Sequence, residues 1–186
     1  MKTRVAINGF GRIGRLVLRA LIEQKRDDIE VVLLNSPGAT DVMAHLLEFD
    51  STHGKFASPI VFEQDWMDVG RGKISVTHER DPALLPHGAL DVDVVLECSG
   101  HFNSREKASA HLSAGAKKVL ISAPASGADF TVVYGVNHGH MRGDHLIISN
   151  ASCTTNCLAP MAKVMNDSFG LISGNMTTIH AYTGDQ

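Results

Sequence analysis

Three glycines within six residues, Gly9-Phe10-Gly11-Arg12-Ile13-Gly14, constrain this chain more than any other feature, because of what flanks them. Before them runs a short apolar, β-branched segment from Arg4 to Asn8. After them, Arg12 to Lys25 places apolar residues at Ile13, Leu16, Val17, Ala20 and Leu21, a spacing that sets one face of a helix against a sheet. Strand, glycine turn and helix in this order open a βαβ unit. There Gly9 permits a tight turn, Gly11 lets the backbone approach a pyrophosphate and Gly14 allows close helix packing. The helix N-terminus adds free N–H groups and partial positive charge, so the turn is expected to hold a dinucleotide.

The same alternation continues. Strands are expected at Glu30 to Asn35, Asp93 to Cys98, Lys118 to Ser122, Thr131 to Val136 and His145 to Ser149. A second helix is signalled by Thr40 as N-cap, with Val42, Met43, Leu46 and Leu47 apolar, and a third by Ser104 before Arg105 to Leu112. Gly54 to Thr77 breaks the rhythm with a Gly70-Arg71-Gly72 turn and is read as a small antiparallel excursion from the main sheet. The expected fold is therefore α/β, a Rossmann-type, mostly parallel sheet with helices on both faces, followed by the beginning of an α+β catalytic domain. The division falls at residues 1–152 and 153–186. A strand-like run from Asn175 to Tyr182 stops at Gln186 without turn or cap, so the sequence reads as cut.

With 186 residues, 44% of them hydrophobic, the chain can bury one substantial core. A net charge of -3 without a basic tract argues against nucleic acid as a partner. No apolar run approaches the roughly 20 residues that cross a bilayer, and the expected compartment is the cytoplasm, with no membrane partner. Cys98, Cys153 and Cys157 are expected as free thiols, and no four-ligand or HExxH pattern points to a metal.

The second strand ends at Asn35-Ser36, where dinucleotide folds place an acidic residue on the adenosine ribose. Serine can bond a ribose hydroxyl yet lacks the charge that would repel a 2′-phosphate, so relaxed choice between NAD and NADP is expected. A second chemical centre lies in Ser149-Asn150-Ala151-Ser152-Cys153-Thr154-Thr155-Asn156-Cys157, which joins a strand to a helix running to about Asp167. A cysteine at a helix N-terminus has its thiolate stabilised by unsatisfied N–H groups, and the same groups can hold an oxyanion when the sulfur attacks a carbonyl. Cys98, mid-sheet, and Cys157, one turn further along, are read as buried and inert. Alternation places Thr178, His180 and Tyr182 on one strand face; from spacing alone His180 is either a bonded structural histidine or the partner of the Cys153 thiolate.

These segments resemble phosphorylating glyceraldehyde-3-phosphate dehydrogenases over nearly the whole chain. The similarity is carried by Val5 to Arg15, by His45-Leu46-Leu47 with Asp50-Ser51-Thr52-His53-Gly54, by Ser122-Ala123-Pro124, and above all by Ser152-Cys153-Thr154-Thr155-Asn156-Cys157. The resemblance implies that Cys153 adds to the substrate aldehyde and that His180 raises its nucleophilicity and assists hydride transfer. A thioester follows, which inorganic phosphate cleaves to an acyl phosphate. It further implies that Ser152, Thr154 and Thr183 hold substrate or attacking phosphate, and that Arg12 and Ile13 touch the pyrophosphate. Arg80 and Ser122 would lie near the adenine and the nicotinamide ribose, and Ser99 would be a further cofactor-binding residue. A homotetramer acting on a phosphorylated aldose is implied for the full-length parent, whose remaining part would supply substrate-binding arginines. Two alternatives stand beside this expectation: a related erythrose-4-phosphate dehydrogenase, disfavoured by Thr183, and a nucleotide-binding module that is inactive as residues 1–186 alone.

Overall fold

The computed structural model describes residues 2–180. Strand β1 (Thr3–Asn8) runs through the glycine turn into helix α1 (Arg12–Glu23) and returns as β2 (Ile29–Asn35), parallel to β1. Helix α2 (Thr40–Glu48) leads to a small antiparallel pair, β3 (Phe49–Asp50) with β4 (Gly54–Lys55), and then to β5 (Val61–Phe62), β6 (Trp66–Asp68) and β7 (Lys73–Thr77). The chain then crosses to β8 (Val94–Glu97), α3 (Arg105–Ser113), β9 (Lys118–Ile121), β10 (Phe130–Thr131) and β11 (Ile147–Ser149). Helix α4 (Cys153–Phe169) closes the regular structure of the described residues.

One nine-stranded sheet runs in the order β10-β11-β9-β8-β1-β2-β7-β6-β5. It is parallel from β10 to β7 and antiparallel at β6 and β5. The order reverses at β1, which has β2 on one side and β8 on the other, and a crevice opens beyond the carboxyl ends of such strands. Pleating sends alternate β1 residues to opposite faces. Val5 and Ile7 join Leu18, Leu34, Met43 and Leu47 beneath α1 and α2, whereas Ala6 joins Leu33, Val95, Ala108 and Val119 beneath α3. Helices therefore cover both faces, as expected.

Several local expectations are corrected. Ile13 is half exposed, and the buried residues of α1 are Gly14, Arg15, Leu18 and Arg19. Arg19 is buried because its guanidinium donates to the carbonyls of His53, Gly54 and Lys55 and lies over the Phe56 ring. Ala39, not Thr40, is the N-cap of α2; the Thr40 hydroxyl donates instead to the Gln64 carbonyl at 2.7 Å. The antiparallel excursion is not separate from the main sheet, since β7 pairs parallel with β2 and carries β6 and β5 outward. The strand expected from Thr131 to Val136 stops at Thr131, because Asn137 bonds the Thr131 carbonyl and the Val133 N–H and turns the chain. Residues 170–180 form no strand; no neighbour among the described residues offers that segment a ladder. Tyr182 lies outside the described residues.

Candidate functional site

The glycine turn has the geometry of an anion cradle. Gly9 has φ +90°, and a Cβ there would lie 2.4 Å from the Ser99 nitrogen; a Cβ on Gly14 would lie 2.0 Å from the Gly9 oxygen. Both positions are therefore closed by packing. Gly11 differs, since a Cβ there meets nothing within 4 Å. It is also the N-cap of α1, makes no side-chain cap, and is followed by no acidic residue in the first turn. The first N–H groups of α1 thus face open space beside Gly11, Arg12 and Ile13, which fits the pyrophosphate of a dinucleotide.

Sheet topology orders the remaining candidates. Along the carboxyl edge stand Arg80 after β7, Ser36 after β2, Gly9 after β1, Ser99 after β8, Ser122 after β9 and Cys153 after β11, in the spatial sequence of their strands. At ~4.8 Å per strand, the three spacings from β1 to β11 separate the glycine turn from the cysteine by roughly 14 Å. A cleft of about 260 Å³ is lined by Gly9, Arg80 and Ser99, together with Pro37, His101 and Phe102. Ser36 is half-buried beside Pro37; its N–H donates to the Thr77 carbonyl and its own carbonyl accepts from His78 Nδ1. Ser122 donates its N–H to the Glu97 carbonyl.

Beneath the cleft lies a buried polar chain that sequence reading missed. Asn35 Nδ2 donates to Asn8 Oδ1 at 2.7 Å, and Asn8 Nδ2 donates to Glu97 Oε2 at 2.6 Å. The same carboxylate oxygen faces His111 Nε2 at 2.9 Å, while His111 Nδ1 faces His87 Nε2 at 3.0 Å. Glu97 Oε1 accepts from both the N–H and the hydroxyl of Ser99. Burial pushes the Glu97 carboxyl upward, but bonds from His111, Ser99 and Asn8 outweigh it and hold the group below its ordinary range. Burial, with the neighbouring His111, pushes His87 down to about 4. The available signal was weak: single polar residues, Asn8, Asn35 and Glu97, ending otherwise apolar strands.

At the other end of the edge, Ser152 caps α4, its hydroxyl accepting from Thr155 N–H at 3.0 Å. Asn156 Nδ2 clamps the approach by donating to the Asn150 and Ser152 carbonyls, and Ala151 takes φ +58°, a left-handed conformation rare for a residue with a side chain. This turn delivers Cys153 as the first residue of α4, exposed to solvent. Thr154 follows, its hydroxyl 3.1 Å from His180 Nε2, which also lies 3.0 Å from Thr178 Oγ1. His180 is thus brought to the head of α4, although among the described residues its bonds go to threonines and not to Cys153. Cys157 is exposed, contrary to the expected burial, because among the described residues no element packs on that side of α4. Cys98 is half-buried, not fully buried, and burial pushes its thiol up to about 11 despite a bond with Ser122. Thr183 lies outside the described residues. Among the described residues no group of three or more His, Cys, Asp or Glu is placed to hold a metal, and no helix is long and apolar enough to cross a membrane.

Fold and site together define a class: a dinucleotide-binding α/β domain whose sheet edge leads to a cysteine at a helix N-terminus. Residues 3–105 match the model of the NAD binding domain of glyceraldehyde 3-phosphate dehydrogenase, and residues 152–186 match that family's C-terminal domain. The chain is 63% identical, over all its residues, to a glyceraldehyde-3-phosphate dehydrogenase of Xanthobacter flavus, covering 56% of that relative. To that of Cereibacter sphaeroides it is 59% identical, covering 55%, and to that of Thermotoga maritima 52% identical over 98% of the chain, again covering 55%. The chain belongs to the glyceraldehyde 3-phosphate dehydrogenase family and carries its NAD-binding domain. It spans about half the length of the curated relatives it matches.

Proposed function

We propose that these residues serve a phosphorylating oxidation of glyceraldehyde 3-phosphate, with NAD held at the glycine turn and Cys153 as nucleophile. The observation that carries the reading is an exposed cysteine opening α4 on the same sheet edge as the dinucleotide cradle. Gly11, Arg12 and Ile13 would face the pyrophosphate, Ser36 and Arg80 the adenosine end, and Ser99 and Ser122 the nicotinamide ribose. NAD held there would supply the hydride acceptor. Cys153 contributes the attacking sulfur, whose addition to the aldehyde carbon places an oxyanion among the N–H groups of the first turn of α4. Loss of hydride from that carbon leaves a thioester, and inorganic phosphate displaces the sulfur to give an acyl phosphate and the free thiolate. Ser152, Thr154 and Thr183 supply short hydroxyl donors for the phosphates, and His180 is the group that exchanges the proton.

Ser36 extends the proposal to NADP, because no carboxylate stands at the end of β2 to repel a 2′-phosphate. Titration with both dinucleotides tests it, and NADP binding many-fold weaker than NAD would remove it. Erythrose 4-phosphate remains the alternative substrate, decided by comparing turnover with the two sugar phosphates. For the whole protein we propose a cytoplasmic homotetramer in central sugar metabolism.

One helix supplies an internal control for the nucleophile. Cys153 and Cys157 are both exposed and one turn apart, but only the first meets the free N–H groups of the helix start. Iodoacetamide at neutral pH should alkylate Cys153 at least tenfold faster than Cys157; equal rates would sink the assignment. A second reading, that residues 1–186 alone bind nucleotide without turnover, is favoured by the His180 ring bonding Thr154 and Thr178.

A further inference from the structure

We infer that Glu97 is a positioning residue of the nucleotide cleft, its carboxylate fixing both the wall that follows β1 and the wall that follows β8. The inference rests on the dinucleotide reading above and assigns a role to a side chain that never reaches the cleft. Glu97, His111 and His87 are each no more than 1% exposed, whereas Asn8 and Ser99 line the cleft. An ionised carboxylate accepts only, and here its two oxygens receive four donors, two from Ser99, one from Asn8 and one from His111.

That saturation fixes orientation beyond the carboxylate. Because Asn8 must point its NH₂ at Glu97, its oxygen is left to receive Asn35 Nδ2. Asn35 Oδ1 is then free to accept from the Glu79 N–H at 2.9 Å, the residue before Arg80. On the other side, Ser99 is drawn against Gly9, at a separation that leaves no room for a Cβ on Gly9. A single buried anion thus sets the spacing of residues on β1, β2 and β8 that flank the crevice. His111 is the donor delivered from α3, and one proton on each imidazole satisfies both its contact with Glu97 and its contact with His87.

Glu97→Gln keeps the shape and breaks the pattern. Whichever way the amide is turned, its NH₂ faces either the Ser99 N–H or the Asn8 NH₂, two donors with no acceptor between them. NAD affinity of the 186-residue chain is measured by calorimetry at a temperature where circular dichroism shows each variant folded. Glu97→Gln should weaken NAD at least tenfold. Ser99→Ala added to Glu97→Gln should cost little more, because the first change has already released Ser99. A folded Glu97→Gln that binds NAD within twofold of the unaltered chain, or full additivity with Ser99→Ala, would overturn the inference by making the carboxylate a core group only. Should Glu97→Gln fail to fold, His111→Phe removes one donor from outside the cleft; a threefold or greater loss of affinity supports the inference and unchanged affinity overturns it. Failure of the unaltered chain to bind NAD would instead sink the dinucleotide reading itself.

Discussion

Helices α1 and α4 begin alike and end in different situations. Each follows a parallel strand and presents its first N–H groups at the carboxyl edge of the sheet, α1 uncapped behind Gly11 and α4 capped by Ser152. Yet α1 buries Gly14, Arg15, Leu18 and Arg19, whereas α4 buries nothing and exposes Leu158, Met161, Val164, Met165 and Phe169. Holding a phosphate asks only that a helix end be in place, which packing against β1 secures. Reacting a thiol with a carbonyl asks that the helix end be fixed to a fraction of an ångström, and among the described residues no buried side chain of α4 adds that restraint.

The comparison breaks most visibly in turnover. The 186-residue chain should bind NAD and yet give no measurable NADH from glyceraldehyde 3-phosphate and phosphate, because positioning alone can be worth about 7–11 kcal/mol of a barrier. Robust NADH production would show α4 to be as well held as α1. The next effect is acid sensitivity of the built half. His87 takes up its proton near 6.5 when unfolded but only at about 4 when folded, so between those values the unfolded chain binds more protons. The contribution of a neutral His87 to stability is therefore expected to be full above pH 6.5 and to be lost as pH drops toward 4, by about 2–3 kcal/mol. Urea midpoints at pH 7 and pH 4.5 measure it, and His87→Phe should flatten the difference.

Two glycines then sharpen the account of α1. Gly14→Ala drives a methyl into the Gly9 oxygen and should cost about 1–3 kcal/mol of stability along with NAD affinity. Gly11→Ala enters open space at an ordinary φ of -74°, so stability should stay within about 0.5 kcal/mol while NAD affinity falls. If both glycines lose stability equally, the space over Gly11 is packing and not a ligand's place. The smallest effect concerns α4. Val164→Glu with Met165→Glu should reduce self-association in light scattering and leave NAD affinity and urea midpoint unchanged.

Much of the nucleotide half was legible because its signals are local. Gly9-Phe10-Gly11-Arg12-Ile13-Gly14 between a β-branched run and a helical period announces its own structure, and the strand-to-helix join at Cys153 was read where the structure has it. What escaped depended on partners distant in sequence. Nothing local marked Arg19 for burial, because the carbonyls of residues 53–55 that receive its guanidinium lie more than thirty residues away. Glu97, His111 and His87 carry no spacing rule, since only the crossover through α3 sets them in line. Cys157 was misplaced for the reverse reason, its burial being inferred for a helix face that no described residue covers.

The outermost strands of the main sheet, β5 and β10, contain two residues each. Edges so short give an incoming chain too few backbone groups to template onto, even with Val61 and Phe62 bare on β5. Whatever clusters this chain forms should therefore be discrete, dissolve in mild detergent and leave amyloid dyes dark, because contact would spread through greasy side chains on a helix and never through continued β-pairing.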